Sequence, residues 1–298
     1  MGVIPQAQVP GVHHRRVGDI LVTALHDGHQ DAPLATLTGI APEEAAAMLR
    51  AAFRPVPRRT QVQAFLIRSG DRTALVDAGL GPVGPSVGRL AANLAAAGVA
   101  PAEVDTLLMT HLHRDHVGGL LDGDGRPVFA QAALHLHEAE HAHWLDDTAM
   151  AAAGDDARAR GAVTLARAAI AAHAGRLRPF FGGEVFPGVT ALPLPGHTPG
   201  HTGFLIASGG HSLLVWGDIV HVPEIQAPRP EVGMAVDVDR DAAIATRRRI
   251  FDQVATDRLA VAGMHLHFPA FAHLAREGAA YRLVPDAWSL DLAGDAPG

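Results

Sequence analysis

The chain has 298 residues, 48% of them hydrophobic, and its 24 Lys+Arg against 31 Asp+Glu give a formal charge of −7. That is apolar material enough for one large α/β core or two small ones, and the acidic balance argues against a nucleic-acid partner, which needs a basic face. Cysteine is absent, which excludes disulfides, thiolate ligands and cysteine nucleophiles. No stretch has the apolar length that spans a bilayer, and residues 1–16 lack the apolar centre of a secretory signal, so no membrane partner and a cytoplasmic location are expected.

Residues 19–25 alternate as a strand, and Asp27-Gly28 reads as the turn that ends it. Pro42-Glu43-Glu44 opens a helix to about Phe53, with proline and carboxylates suited to its first turn. Residues 62–68 and 73–76 form a hairpin across Ser69-Gly70-Asp71. Residues 85–97 read as a helix stopped by Gly98. Residues 105–110 are a buried strand and residues 132–137 another, followed by helices over 138–145 and 155–174. Three strands are predicted at 189–194, 202–207 and 212–216. Residues 239–255 form an amphipathic helix whose Arg247-Arg248-Arg249 run reads as a solvated face. Strands at 259–262 and 280–284 complete the pattern, which suits two sheets with helices outside better than a barrel of regular βα units.

The buried strand at 105–110 runs into His111-Leu112-His113-Arg114-Asp115-His116. Imidazole and carboxylate are the ligands of zinc and related divalent ions, and crowding four of them on one loop is costly without a cation. Chance gives this pattern on the order of 0.005 times in a chain of this length, which weighs against a merely solvated histidine-rich loop. Three other strand ends offer matching groups: His197 and His201 in Pro195-Gly196-His197-Thr198-Pro199-Gly200-His201, Asp218 after Trp216-Gly217, and His265 and His267 in Gly263-Met264-His265-Leu266-His267-Phe268-Pro269. Of His265 and His267, His265 is the one expected to face the cluster. His135, His137, His141 and His143 read as surface or pocket-rim residues. His13, His14, His26, His29, His173, His211, His221 and His273 read as ordinary.

In these motifs, with Leu75-Val76-Asp77-Ala78-Gly79 and Val117-Gly118-Gly119, the chain resembles the metallo-β-lactamase-fold hydrolases. Val17-Gly18-Asp19-Ile20-Leu21, Arg89-Leu90-Ala91-Ala92-Asn93-Leu94, His267-Phe268-Pro269 and Tyr281-Arg282-Leu283-Val284-Pro285 look like the methyl parathion hydrolase and lactonase branch. The resemblance implies an α+β fold of αββα type, two central mixed β-sheets flanked by helices. It implies one domain over residues 1–298, with residues 1–60 as an N-terminal extension packing on it, and pairing as a homodimer.

It also implies two divalent ions, with zinc expected ahead of manganese, iron or cobalt. His111, His113 and His197 would hold the first ion, Asp115, His116 and His265 the second, and Asp218 would bridge them. Asp77 would orient a ligand histidine from behind. With these ligands assigned, His201 is left to hydrogen-bond locally. A hydroxide shared by such a pair attacks a carbonyl or phosphorus centre, so no Gly-x-Ser-x-Gly elbow is needed and none occurs. Asp115 is expected to take a proton during attack and Asp218 to act with it as a catalytic group. Trp144 matches an aromatic pocket position of the branch and otherwise reads as a core residue. The stretches around Val83 and Gly161 carry no aromatic, and a pocket poor in aromatics favours aliphatic or small rings. The expected substrate is therefore a small-molecule lactone or carboxylic (aryl) ester, with organophosphate triesters as the alternative. A β-lactamase, a di-iron redox protein and a metal-stabilised binding domain rank below; di-iron sites place glutamate where His113 stands.

Overall fold

The computed structural model describes residues 8–292. In chain order its elements are β1 (Val12–Val17), β2 (Ile20–Ala32), β3 (Leu37–Thr38), α1 (Pro42–Ala51), β4 (Arg58–Ser69), β5 (Arg72–Val76), α2 (Leu90–Ala96), β6 (Thr106–Leu108), α3 (Arg114–Val117), β7 (Ala133–His137), α4 (Glu138–Leu145), α5 (Asp147–Ala152), α6 (Ala157–Ala172), β8 (Leu177–Phe180), β9 (Gly183–Phe186), β10 (Val189–Pro193), β11 (Thr202–Ser208), β12 (His211–Val215), α7 (Pro223–Gln226), β13 (Gly233–Met234), α8 (Arg240–Thr256), β14 (Ala260–Ala262), β15 (Phe271–Glu277) and β16 (Ala280–Pro285). Two seven-stranded sheets run in the orders β1-β2-β4-β5-β6-β7-β8 and β16-β15-β14-β12-β11-β10-β9, and β3 pairs with β13 apart from them. Both large sheets are mixed. In the first, β5 to β8 are parallel and the rest antiparallel; in the second, only β12 and β14 are parallel.

The side-chain period of two sorts each strand between two cores. Phe65 and Ile67 of β4 share a core with Phe204, Ile206 and Phe271 of the other sheet. Their neighbours Ala64 and Leu66 face the opposite way, into a core with Leu94, Val163 and Ile170 from α2 and α6. Burial on both faces is why β4 reads as an almost unbroken apolar run. On the second sheet, Phe251 of α8 packs against Trp216 and Tyr281, with ring centroids 6.0 and 5.2 Å away. The result is the αββα arrangement that the resemblance implies.

Several elements depart from the sequence reading. Asp27-Gly28 does not end a strand; β2 runs on to Ala32, and its register with β4 shifts between His26 and Gly28. The dipeptide makes a β-bulge, which draws on the same residue types as a turn. Gly28 has φ +140°, and a Cβ there would lie 2.0 Å from the Ser86 carbonyl oxygen, so a side chain is excluded. The helix predicted at 85–97 is only α2, because Gly88, with φ +79°, keeps the chain non-helical before it. Arg247 is not on a solvated face: it is 1% exposed and donates to the carbonyls of Ile219, Pro230 and Val232. β1, β8, β9 and β15 were not predicted. Within the stretch expected to form an N-terminal extension, residues 12–32 pair as β1 and β2 of the first sheet, and residues 1–7 lie outside the described residues. Among the described residues no helix is long and apolar enough to cross a membrane.

The fold puts two parallel pairs, β5 with β6 and β12 with β14, side by side in their sheets. Loops leaving the carboxyl ends of parallel strands are where α/β folds gather ligands.

Candidate metal centre

Asp77 follows β5, the 111–116 cluster follows β6, Asp218 follows β12 and His265 follows β14. His197 lies in the loop between β10 and β11. Those chain segments converge. His113 Nδ1 lies 3.0 Å from His111 Nε2 and 2.9 Å from His197 Nε2. Asp115, His116 and His265 form a second group, with ligand atoms within 4.8 Å of one another. Asp218 stands between the two: its Oδ2 is 3.3 Å from His116, His197 and His265 Nε2 and 3.7 Å from His111 Nε2.

The supporting hydrogen bonds settle which ring nitrogens point inward. Thr110 donates its hydroxyl to Asp77 Oδ2 at 2.7 Å, so at 3.0 Å it accepts from His111 Nδ1–H. His116 Nδ1–H donates to the same Asp77 oxygen at 2.7 Å, His197 Nδ1–H to Asp237 at 2.8 Å, and His265 Nδ1–H to the Gln61 carbonyl at 2.7 Å. Each of these rings therefore turns its Nε2 toward the centre. Lone pairs crowded at 3 Å repel unless a cation lies among them. His116 Nε2 and Asp218 Oδ1 are buried without any hydrogen-bond partner.

Two further residues set the loops. His201 donates Nδ1–H to the Leu194 carbonyl and accepts the Asp218 backbone N–H on Nε2, both at 2.9 Å. Both ring nitrogens are occupied, so His201 positions Asp218 and is not free to ligate. Gly217 beside it has φ +59°, and a Cβ there would meet His201 Nε2 at 2.3 Å. Glu140 is fully buried and accepts from Leu112 N, Trp144 Nε1, Thr198 Oγ and Gly200 N, tying the 111–116 loop to the 195–201 loop.

Charge follows the same geometry. Burial opposes the charged form of His197, but Asp218 and Asp237 outweigh it and raise its pKa to about 9. Burial works against His116 too, yet Asp218 and Asp77 hold it well above the usual imidazole range. Asp218 is held well below the carboxylate range, against its burial, by His116, His265 and His221. His201, buried and beside His197, is pulled down to about 3.

The sequence reading missed three residues here. His221 sits with Nε2 3.0 Å from Asp218 Oδ2 and its ring stacked on His265, centroids 5.1 Å apart. Burial draws it down to about 4, and its Nδ1 has no partner. Its only signal was its place three residues after Asp218. Asp237 and Glu140 gave none, since each acts through tertiary contacts. Trp144 lies 4% exposed behind the site, its ring edge-on to His113 at 5.7 Å and its N–H on Glu140. His267 turns away and meets Glu224 at 2.5 Å. His137 accepts the Ala139 N–H at the start of α4.

A family model described as the metallo-beta-lactamase superfamily matches residues 57–265. A hydroxyacylglutathione hydrolase of Aeromonas salmonicida (strain A449) is 29% identical over 166 residues, 55% of this chain; the match spans about half, 48%, of that protein's length. Among solved structures, the hydrolase AbOPH of the β-lactamase superfamily is 30% identical with TM-score 0.89, over 95% of this chain and 100% of that one. The dizinc quorum-quenching lactonase AidC, solved with an N-hexanoyl-L-homoserine product, shares the fold at TM-score 0.84 and 22% identity, over 94% of this chain and 99% of that one.

Proposed function

The chain belongs to the metallo-β-lactamase superfamily, and from that membership we propose that it is a metal-dependent hydrolase with a dinuclear centre that opens a lactone or cleaves a carboxylic ester, in the methyl parathion hydrolase and lactonase branch. The observation that carries this reading is Asp218 Oδ2, set 3.0–3.7 Å from five imidazoles at the meeting of two ligand groups. The donors are nitrogen and oxygen without sulfur, which suits zinc first and also manganese, iron or cobalt. The inward Nε2 atoms, with His116 Nε2 and Asp218 Oδ1 buried and unpartnered, fit cations held there. His111, His113 and His197 would hold one ion, Asp115, His116 and His265 the other, with Asp218 shared. When bound, two such ions supply Lewis acidity and bring the pKa of water toward neutrality.

The chain's own residues do the rest. Asp77, Asp237 and the Gln61 carbonyl fix the tautomers of His116, His197 and His265. His201 holds Asp218 by its backbone. The Asp115 side chain is 20% exposed, the most open of the acids here, and its Oδ2 accepts from Gln30 Nε2 at 3.4 Å. It is the carboxylate placed to take a proton as water attacks. Metal analysis on the purified protein, with turnover of lactones, aryl esters and phosphotriesters, tests the proposal. Two ions per chain with lactone or ester turnover are expected; oxygen consumption without ester turnover overturns it. Asp115→Asn is expected to lose on the order of 10²-fold in kcat while keeping most of its metal; parallel loss of both would make Asp115 a ligand only.

A further inference from the structure

A cavity of about 160 Å³ opens beside the centre, lined by His221 and His265 together with Arg54, Arg58, Arg59 and Glu224. Its charges do not balance. Glu224 is taken up by Arg54 at 2.6 Å and by His267 at 2.5 Å. Arg59 pairs with Asp31 at 3.2 Å. Arg58 makes no ion pair in contact among the described residues, although it is only 6% exposed; the carboxylate that attracts it is Asp115, which no hydrogen bond joins to it. Its protein partners are two hydroxyls, those of Thr60 and Thr36, and its Nε is buried with no acceptor.

Burying a guanidinium without a counter-ion is costly, and chains normally avoid it or satisfy it. Arg247 shows the satisfied case: it too is attracted by a carboxylate it does not bond, Asp237, but three backbone carbonyls take its N–H groups. Arg58 has no such set, and it lies on a cavity wall instead of in packed interior. Burial draws its pKa only to about 10, so it stays charged at neutral pH.

Resting on the hydrolase reading above, we propose that Arg58 is a specificity-determining residue, and that the substrate carries a carboxylate on the part of the molecule distal to the scissile ester. Arg58 then receives that carboxylate while the ester carbonyl lies at the Asp218 end of the cavity. The pairing supplies the directly bonded carboxylate that no described residue gives Arg58. A planar guanidinium can meet a carboxylate through two parallel N–H groups, which also fixes orientation.

The test uses metal-loaded protein and calorimetry with succinate, glutarate and adipate, each against the monocarboxylate of equal length. At least one diacid is expected to bind roughly tenfold to a hundredfold more tightly than its partner. Arg58→Met should erase that gap, and Arg58→Lys, which keeps the charge without the fork, should restore part of it. Turnover should follow: kcat/KM for monophenyl glutarate over phenyl valerate exceeds one in the wild type and falls toward one in Arg58→Met. Equal binding of every diacid and its partner by wild type overturns the inference, as does an unchanged gap in Arg58→Met. Two failures remain separable. Ester turnover without diacid preference removes Arg58's role alone, whereas Arg58-dependent diacid binding without any ester turnover removes the hydrolase reading.

Discussion

His221 carries the clearest test of how the site divides its labour. The proposal gives two ions seven side chains without His221, yet His221 reaches Asp218 at 3.0 Å and also lines the cavity. Set between Asp218 and the cavity, it would meet the substrate's oxygen under the proposed reading. His221→Asn is expected to retain both ions by metal analysis and to lose on the order of 10²-fold in kcat. His173 gives a second test, far from the centre. It is buried at the end of α6, donates Nδ1–H to Ala169 and leaves Nε2 unpartnered, and burial lowers its pKa below 6.5. The unfolded chain then takes a proton near pH 6.5 that the native chain refuses. Stability from this residue is complete above pH 6.5 and is lost as pH falls from there toward the native pKa. Urea midpoints from pH 7 to pH 5 should drop more steeply for wild type than for His173→Gln.

At the scale of elements, Glu140 is the joint between two loops. Removing it strands four buried donors. Glu140→Ala is expected to destabilise the chain by roughly 3 kcal/mol or more in urea unfolding, and to weaken metal retention. How much of this was legible depends on where the information lies. The helix at 138–145 and the 111–116 cluster could be read because their signals are local. The long strand β2 could not, since Asp27-Gly28 serves a turn and a bulge alike; its bulge is specified by Ser86, which packs against Gly28 from far along the chain. Arg247 misled for a related reason. A run of three arginines looks solvated until the helix turns one of them onto backbone carbonyls. Asp237, Glu140 and His221 are ordinary in sequence and acquire their roles only from what they touch.

For the molecule as a whole, the proposed ligand set crosses from one sheet to the other. His111, His113, Asp115 and His116 belong to the first, and His197, Asp218 and His265 to the second. Stripping the metal with a chelator is therefore expected to lower Tm as well as abolish turnover, with hydrogen exchange rising first in the loops after β6, β12 and β14. Readdition of zinc should reverse both.

A chain with no cysteine cannot be stapled by oxidation. The candidate ligand groups join positions as remote as 115 and 265, so ions seated among them would act as reversible cross-links closing very long loops. By the entropic argument used for disulfides, such closures weigh most where the spanned chain is longest. A metal-starved copy of this protein is thus expected to be both inactive and short-lived, turning the supply of a trace element into a control on its abundance.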